Sequence, residues 1–309
     1  MDLQTAAEKI RSMEIRGASR IAKFAAEVMK EQALKVKENF DEEMLKASKI
    51  LLNTRPTAVS LFNAINYIMR YRGENLEEKR ADLVRRAEEF ISWVDSAQRK
   101  IAEIGEKMIK DNSTILTHCN SSTAIAVIKR AHEVGKKIEV IATESRPRWQ
   151  GHITARQLRE VGIEVTLIVD SAVRFFINEV DCVIVGADTI TANGALINKI
   201  GTSQVALCAK EARVPFMVAA ETYKFSPKTL FGDLVVIEER SAEEVAPKDL
   251  LDLGVKVRNP AFDVTPREYI DVIITEIGAI PPEMAYLIIR ERFGYSGVSE
   301  GEAEIEIIE

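Results

Sequence analysis

"ILTHCNSSTAIAVIKRA", residues 115–131, changes its hydrophobic period part-way through. Ile115–His118 read as a short buried strand. From Ser122 the apolar residues Ala124, Ile125, Ile128 and Ala131 recur on one face of a helix. A strand that turns directly into an amphipathic helix is the opening unit of a parallel α/β sheet. The turn between them carries His118, Cys119 and Asn120, in a chain with only three histidines and three cysteines.

The same alternation continues downstream. Apolar runs at Ile138–Thr143, Val165–Val169, Cys182–Gly186, Phe216–Ala219, Leu234–Ile237 and Val272–Thr275 predict strands. Ser121–Val134, Ile153–Val161, Ala172–Glu179 and Ser203–Ala212 predict helices between them. Strands separated by helices pair in parallel through right-handed crossovers. Residues 111–309 therefore read as a Rossmann-like domain.

Upstream, residues 1–110 read as a helical N-terminal domain. Ile21, Phe24, Ala25, Val28 and Met29 share one helical face. Leu83, Ala87, Phe90, Val94, Ile101, Ile104 and Met108 keep a similar period, and Pro56 and Gly73 mark breaks. The fold class is α/β: a helical N-terminal domain followed by a parallel-sheet domain carrying most of the site.

Composition narrows the function. Charged residues make up 29% and hydrophobic residues 46% of the 309, with a formal net charge of −6. That balance argues against a general nucleic-acid or membrane binder. No apolar run approaches the roughly 20 residues a membrane helix needs, and "MDLQTAAEKIRSMEIRG" lacks a signal-peptide core. A cytoplasmic protein is expected. The cysteines are odd in number and have no CxxC spacing, so neither a disulfide framework nor a metal site is expected. Cys182 and Cys208 sit in apolar patterns and read as core. The acidic tail "SEGEAEIEIIE" reads as a terminus.

In parallel sheets, ligands bind outside the carboxyl ends of the strands. Those ends carry "THCNSS" (117–122), "TESRPRWQG" (143–151), "VDSAV" (169–173), "VGADTITANGALINKIGTSQ" (185–204) and "AAETYKFSP" (219–227). Cys119 there is either a small buried hydrophobe or a thiol that the helix N-terminus favours as thiolate. Asp188 is either a cap or a carboxyl kept protonated by apolar walls. Position alone decides neither. Arg16, Arg55, Arg146, Lys199 and Lys224 could each be surface charges; gathered into a pocket, they would clamp a phosphate. Gly17 would let a backbone N–H approach a ligand. "NGALINKIGT" is neither a GxGxxG fingerprint nor a Walker loop, so dinucleotide binding and NTP hydrolysis are not expected.

"RGAS", "NTRPTAVSL", "ILTHCNSS", "TESRPRWQG", "VIVGADTITANGALINKIGT" and "VAAETYKF" together resemble one superfamily. It comprises the regulatory subunits of translation initiation factor 2B and the sugar-1-phosphate aldose–ketose isomerases. The isomerases carry a cysteine on the first Rossmann turn and an aspartate after the central strand, here Cys119 and Asp188, and the regulatory subunits typically lack this pair. Methylthioribose-1-phosphate isomerases usually read Arg-Gly-Ala-Pro-Ala-Ile-Gly at the first motif. This chain has Ser19 and Arg20 in place of that Pro and Ala, and with "TESRP" it is most similar to the archaeal ribose-1,5-bisphosphate isomerase branch.

The resemblance implies conversion of ribose 1,5-bisphosphate to ribulose 1,5-bisphosphate, a step of nucleoside monophosphate salvage. It implies Asp188 as general acid and Cys119 as base, with the thiol's pKa lowered at the helix N-terminus. Arg16, Gly17, Ala18, Arg55, Arg146 and Lys224 would hold phosphates, and Asn198 and Lys199 would contact the sugar or its C1 phosphate. No metal or cofactor is implied, though AMP is implied as an activator. The implied partners are the phosphorylated sugar and further copies of the chain, as a dimer or a trimer of dimers. The alternatives are a non-catalytic regulatory subunit and a methylthioribose-1-phosphate isomerase. His118 is given no chemical role beyond anchoring the turn.

Overall fold

A computed structural model gives the structure of residues 2–15, 17–231 and 235–293. Five helices come first: α1 (Leu3–Arg11), α2 (Ala18–Lys35), α3 (Phe40–Leu52), α4 (Val59–Met69) and α5 (Leu76–Gly105). Each buries one stripe. In α5, Leu83, Ala87, Phe90, Val94, Ala97 and Ile101 are buried and the charges between them face out. Asn75 caps α5 by accepting the Glu78 N–H at 3.0 Å, while Asn75 Nδ2 donates to Glu78 Oε1 at 2.9 Å. Met108, read as part of the apolar face, falls in a 3₁₀ turn beyond the helix and is exposed.

The alternating part follows as β1 (Ser113–Thr117), α6 (Ser122–Glu133), β2 (Ile138–Thr143), α7 (Gln150–Arg159), β3 (Glu164–Ile168), α8 (Val173–Phe176) and β4 (Cys182–Gly186). It continues with β5 (Thr189–Ile190), β6 (Leu196–Lys199), α9 (Thr202–Ala212), β7 (Phe216–Ala219), α10 (Lys248–Asp252), β8 (Phe262–Thr265), β9 (Val272–Thr275), β10 (Gly278–Ile280) and α11 (Ala285–Phe293). The main sheet has the order β10-β9-β7-β4-β1-β2-β3, and only β10 runs antiparallel. The chain moves outward from β1 in one direction through β2 and β3, then returns to β4 on the other side. The topological switch point therefore lies between β1 and β4, where Ile115 pairs with Cys182 and Leu116 with Val183.

One apolar cluster fills each face of this sheet, and a third fills the helical layer. Cys182 and Cys208 are buried in the sheet clusters, as their surroundings predict. The helical layer is fastened to the sheet through the segment after β7. Tyr223 packs between Phe90 and Trp93, and Asn63 Nδ2 donates to the carbonyls of Tyr223 and Phe225, both at 2.8 Å. Trp93 Nε1 donates to buried Glu276 at 2.8 Å.

Two expected elements need correction, and one sheet is additional. Val235–Ile237 form no strand, because the run does not pack into the sheet: Val236 is exposed, and Leu234 lies outside the described residues. The helix expected over Ala172–Glu179 breaks into 3₁₀ turns around the four-residue α8. A small antiparallel sheet, β5-β6-β8, was not anticipated; it forms where "TI" and "LINK" fold back and pair with Phe262–Thr265. Arg16 and the acidic tail lie outside the described residues.

Candidate active site

Cys119 and Asp188 leave the carboxyl ends of the two strands that flank the switch point. Cys119 adopts a left-handed backbone, φ 70°. Hydrogen bonds hold it there. Its N–H donates to Ser145 Oγ at 2.7 Å, and its carbonyl accepts from Thr154 Oγ1 at 2.7 Å. Asn120 Nδ2 donates to Thr154 and Gln157, both at 3.0 Å. The helix begins only afterwards, with Ser121 as its cap accepting the Ala124 N–H at 3.3 Å.

The thiol does not follow expectation. Burial pushes it up to about 11, the nearby Asp188 and Asp170 carboxylates push the same way, and the Lys199 charge and the Asn120 N–H only partly offset them. Desolvation outweighs the helix N-terminus, because Cys119 sits two residues ahead of the cap. Asp188 is also raised by burial, against the charges of Lys224, Lys199, Arg55 and Arg240. Its carboxyl makes no hydrogen bond or ion pair among the described residues, and its N–H donates to Ile197 at 3.0 Å.

His118 forms part of the frame. Its Nε2 lies 2.9 Å from the Ile200 carbonyl, which can only accept, so Nε2 carries the proton. Nδ1 therefore accepts from Thr143 Oγ1 at 2.6 Å. Burial lowers the ring's pKa and keeps it neutral. This ring ties the Cys119 turn to the turn after Lys199. Two glycines make the close approach possible. A Cβ on Gly201, whose φ is +101°, would lie 3.0 Å from the His118 ring, and one on Gly186 would lie 2.1 Å from Ser121 Oγ.

Of the cations singled out from the motifs, Lys224, Lys199 and Arg55 bear on Asp188, and Arg16 lies outside the described residues. Lys199 is buried, with Nζ 4.9 Å from the centre of the Phe262 ring, and its charge bears on both Cys119 and Asp188. Asn198 is buried beside it and donates to Thr202 Oγ1 at 3.0 Å. Lys224 pairs with buried Glu221 at 2.7 Å. Burial opposes ionisation of Glu221, but the Lys224 charge and hydrogen bonds from Lys224 and Thr123 outweigh it and hold the carboxyl below its usual range. Ser19, at the start of α2, reaches the same carboxylate at 3.3 Å. Gly17, with φ 90°, has open space where a Cβ would point, and Ala18 begins α2 beside it. The Arg146 guanidinium stacks 4.6 Å from the centre of the Trp149 ring.

Three residues of this neighbourhood were not singled out from the sequence. Glu221 lies within a strand-end motif that does not mark its role. Glu238 and Arg240 follow a stretch without regular structure, and no motif marks them. Among the described residues, no group of three or more His, Cys, Asp or Glu side chains could hold a metal ion. Nor is any described helix long and apolar enough to cross a membrane.

A model of the initiation factor 2 subunit family matches residues 14–282. The chain belongs to this family. The resemblance read from the motifs is thus borne out. Within the family, the chain is 77% identical over 298 residues to a protein of Archaeoglobus fulgidus named ribose 1,5-bisphosphate isomerase, covering 96% of this chain and 95% of that one. It is 56% identical to a protein of the same name from Methanocaldococcus jannaschii, covering 93% and 94%. Among solved structures, the Pyrococcus horikoshii protein described as translation initiation factor eIF-2B superposes with a TM-score of 0.79 at 36% identity, covering 91% of this chain and 97% of that one.

Proposed function

We propose that this family member is an aldose–ketose isomerase that converts ribose 1,5-bisphosphate to ribulose 1,5-bisphosphate. The observation that carries the reading is that Cys119 and Asp188 follow the two paired strands at the switch point, where Asp188 bears on the thiol and the charges of Lys224, Lys199, Arg55 and Arg240 bear on Asp188. A regulatory subunit would need the pocket but not the acid–base pair.

Phosphate on the anomeric oxygen prevents the sugar from opening to a free aldehyde, so ring opening and proton removal must be coupled. Cys119 takes the C2 proton, the electron pair forms the C1–C2 double bond, and the C1–ring oxygen bond breaks. Asp188 donates its proton to the departing ring oxygen. The resulting enol phosphate takes the proton at C1 from Cys119, while its 2-hydroxyl returns a proton to Asp188 and becomes the ketone. Every proton is accounted for, and both side chains end as they began.

The electrostatics suit this order. Burial raises the Asp188 carboxyl, which eases placing the donated proton there. A thiol near 11 is a scarce but strong base. At neutral pH about 1 in 10⁴ would be thiolate, a cost of about 5 kcal/mol that positioning must offset. Lys199 sits where it can steady both the thiolate and the enol's charge. Arg16, Gly17, Ala18, Arg55, Arg146 and Lys224 are proposed to hold the phosphates. Asn198 and Lys199 are proposed to meet the sugar or its C1 phosphate.

The working form is proposed to be a homo-oligomer, a dimer or a trimer of dimers. Edge strand β3 leaves Leu167 exposed, with Val169 and Phe175 exposed just beyond it, a surface suited to a further copy. AMP is proposed as an activator. The test is a parallel assay of the purified chain on ribose 1,5-bisphosphate and on methylthioribose 1-phosphate, with and without AMP. Turnover of the bisphosphate by a wide margin supports the reading; turnover of the methylthio sugar alone overturns it.

A further inference from the structure

Glu238 lies between two arginines from distant parts of the chain. Arg55, in the turn between α3 and α4, reaches Glu238 Oε2 through Nη2 at 3.0 Å. Arg240 reaches Oε1 through Nη2 at 3.3 Å. One carboxylate thus serves two guanidinium groups and leaves a positive charge over. All three side chains are largely shielded, at 18%, 30% and 13% exposure for Arg55, Glu238 and Arg240.

Arg240 has donors to spare. Its Nε is buried and has no hydrogen-bond partner among the described residues. Its Nη1 meets only the Met13 sulfur at 3.8 Å, a weak acceptor. Folded proteins rarely leave a buried guanidinium N–H in that state without a use for it. Its backbone is fixed, since its N–H donates to the Asn259 carbonyl at 2.9 Å and Asn259 is held by Glu239 and Ser241. Both guanidinium charges bear on Asp188, so this cluster borders the reacting groups.

We propose that Arg240 joins Arg55 in a two-arginine phosphate seat, and that Glu238 occupies the seat until a phosphate displaces it. The proposal rests on the reading of a phosphorylated substrate. A carboxylate offers two oxygens and one charge. A phosphate offers three terminal oxygens and nearly twice the charge, enough to take the Nε–Nη2 fork of Arg240 and Nη2 of Arg55 together. Glu238 then acts as a gatekeeper: it neutralises the empty seat and rejects anions too weakly charged to compete.

The test is calorimetric titration of the full chain with inorganic phosphate. Glu238→Gln removes the competitor and should tighten phosphate binding by about tenfold or more, whereas Arg240→Gln should weaken it by a similar factor. Arg240→Lys should fail to restore binding, because an ammonium lacks the fork. In turnover, Arg240→Gln should raise KM far more than it lowers kcat. Unchanged or weaker phosphate binding in Glu238→Gln would overturn the proposal, and so would full rescue by Arg240→Lys. The titration needs no turnover. A chain inactive on ribose 1,5-bisphosphate that still shows this pattern sinks the assigned reaction and keeps the seat. An active chain whose phosphate affinity ignores both residues does the reverse.

Discussion

Replacing Lys199 with Met tests the electrostatics of the thiol most sharply. Burial holds Cys119 near 11, against 9.0 for an ordinary thiol, and Lys199 is the largest of the effects that pull it down. A two-unit difference means about 100-fold less thiolate at any pH well below both values. Alkylation by iodoacetamide, followed by mass spectrometry of the Cys119 peptide, reads that fraction directly. In the wild type the rate should climb about tenfold per pH unit past pH 9 with no plateau. The rate at about pH 8 should lie about 100-fold below that of a free thiol. Lys199→Met should push the midpoint higher still. Cys182 is an internal control, since burial pushes its thiol up to about 12. A plateau below about pH 9, or a Lys199→Met midpoint at or below the wild type's, would refute the argument that desolvation outweighs the helix N-terminus.

Further outcomes follow from the same geometry. The productive site holds a thiolate and a protonated carboxyl, which carries the same number of protons as thiol plus carboxylate, so their ratio does not change with pH. kcat/KM should therefore stay flat between an acid limb set by Asp188, above its ordinary 3.8, and an alkaline limb near 11; an alkaline limb near 8.5 would contradict this. Gly186→Ala places a Cβ 2.1 Å from Ser121 Oγ and 2.4 Å from its Cβ, which no rotamer of the cap relieves. Denaturant unfolding should show a loss of about 1–3 kcal/mol. His118→Phe leaves the Ile200 carbonyl and the Thr143 hydroxyl without the ring, at a cost of about 1–3 kcal/mol. A change below about 0.5 kcal/mol in either variant would show that the turn is not held as described.

Much of this architecture is legible in the sequence because buried parallel strands are short apolar runs. Ile138–Thr143, Cys182–Gly186, Phe216–Ala219 and Val272–Thr275 fall on β2, β4, β7 and β9 residue for residue. Val235–Ile237 looks similar and forms no strand, because neither burial nor pairing is local information. The strand-end rule places Cys119 and Asp188 at one sheet edge, but only the sheet order makes them neighbours. Glu238 and Arg240 were illegible for a related reason. Arg55 and Glu238 are 183 residues apart, and only the folded chain joins them. The thiol's shift runs opposite to the sequence expectation because a helix N-terminus is visible in sequence whereas desolvation is not.

The central claim is that Cys119 and Asp188 exchange protons with a ribose bisphosphate. Its most direct test is the single-turnover rate of ribulose 1,5-bisphosphate formation by the wild type, Cys119→Ser and Asp188→Asn at saturating substrate, each variant first shown to be folded. The wild type should form the ketose, and each variant should lose at least about 10³ in rate. Turnover in either variant within about tenfold of the wild type would contradict it.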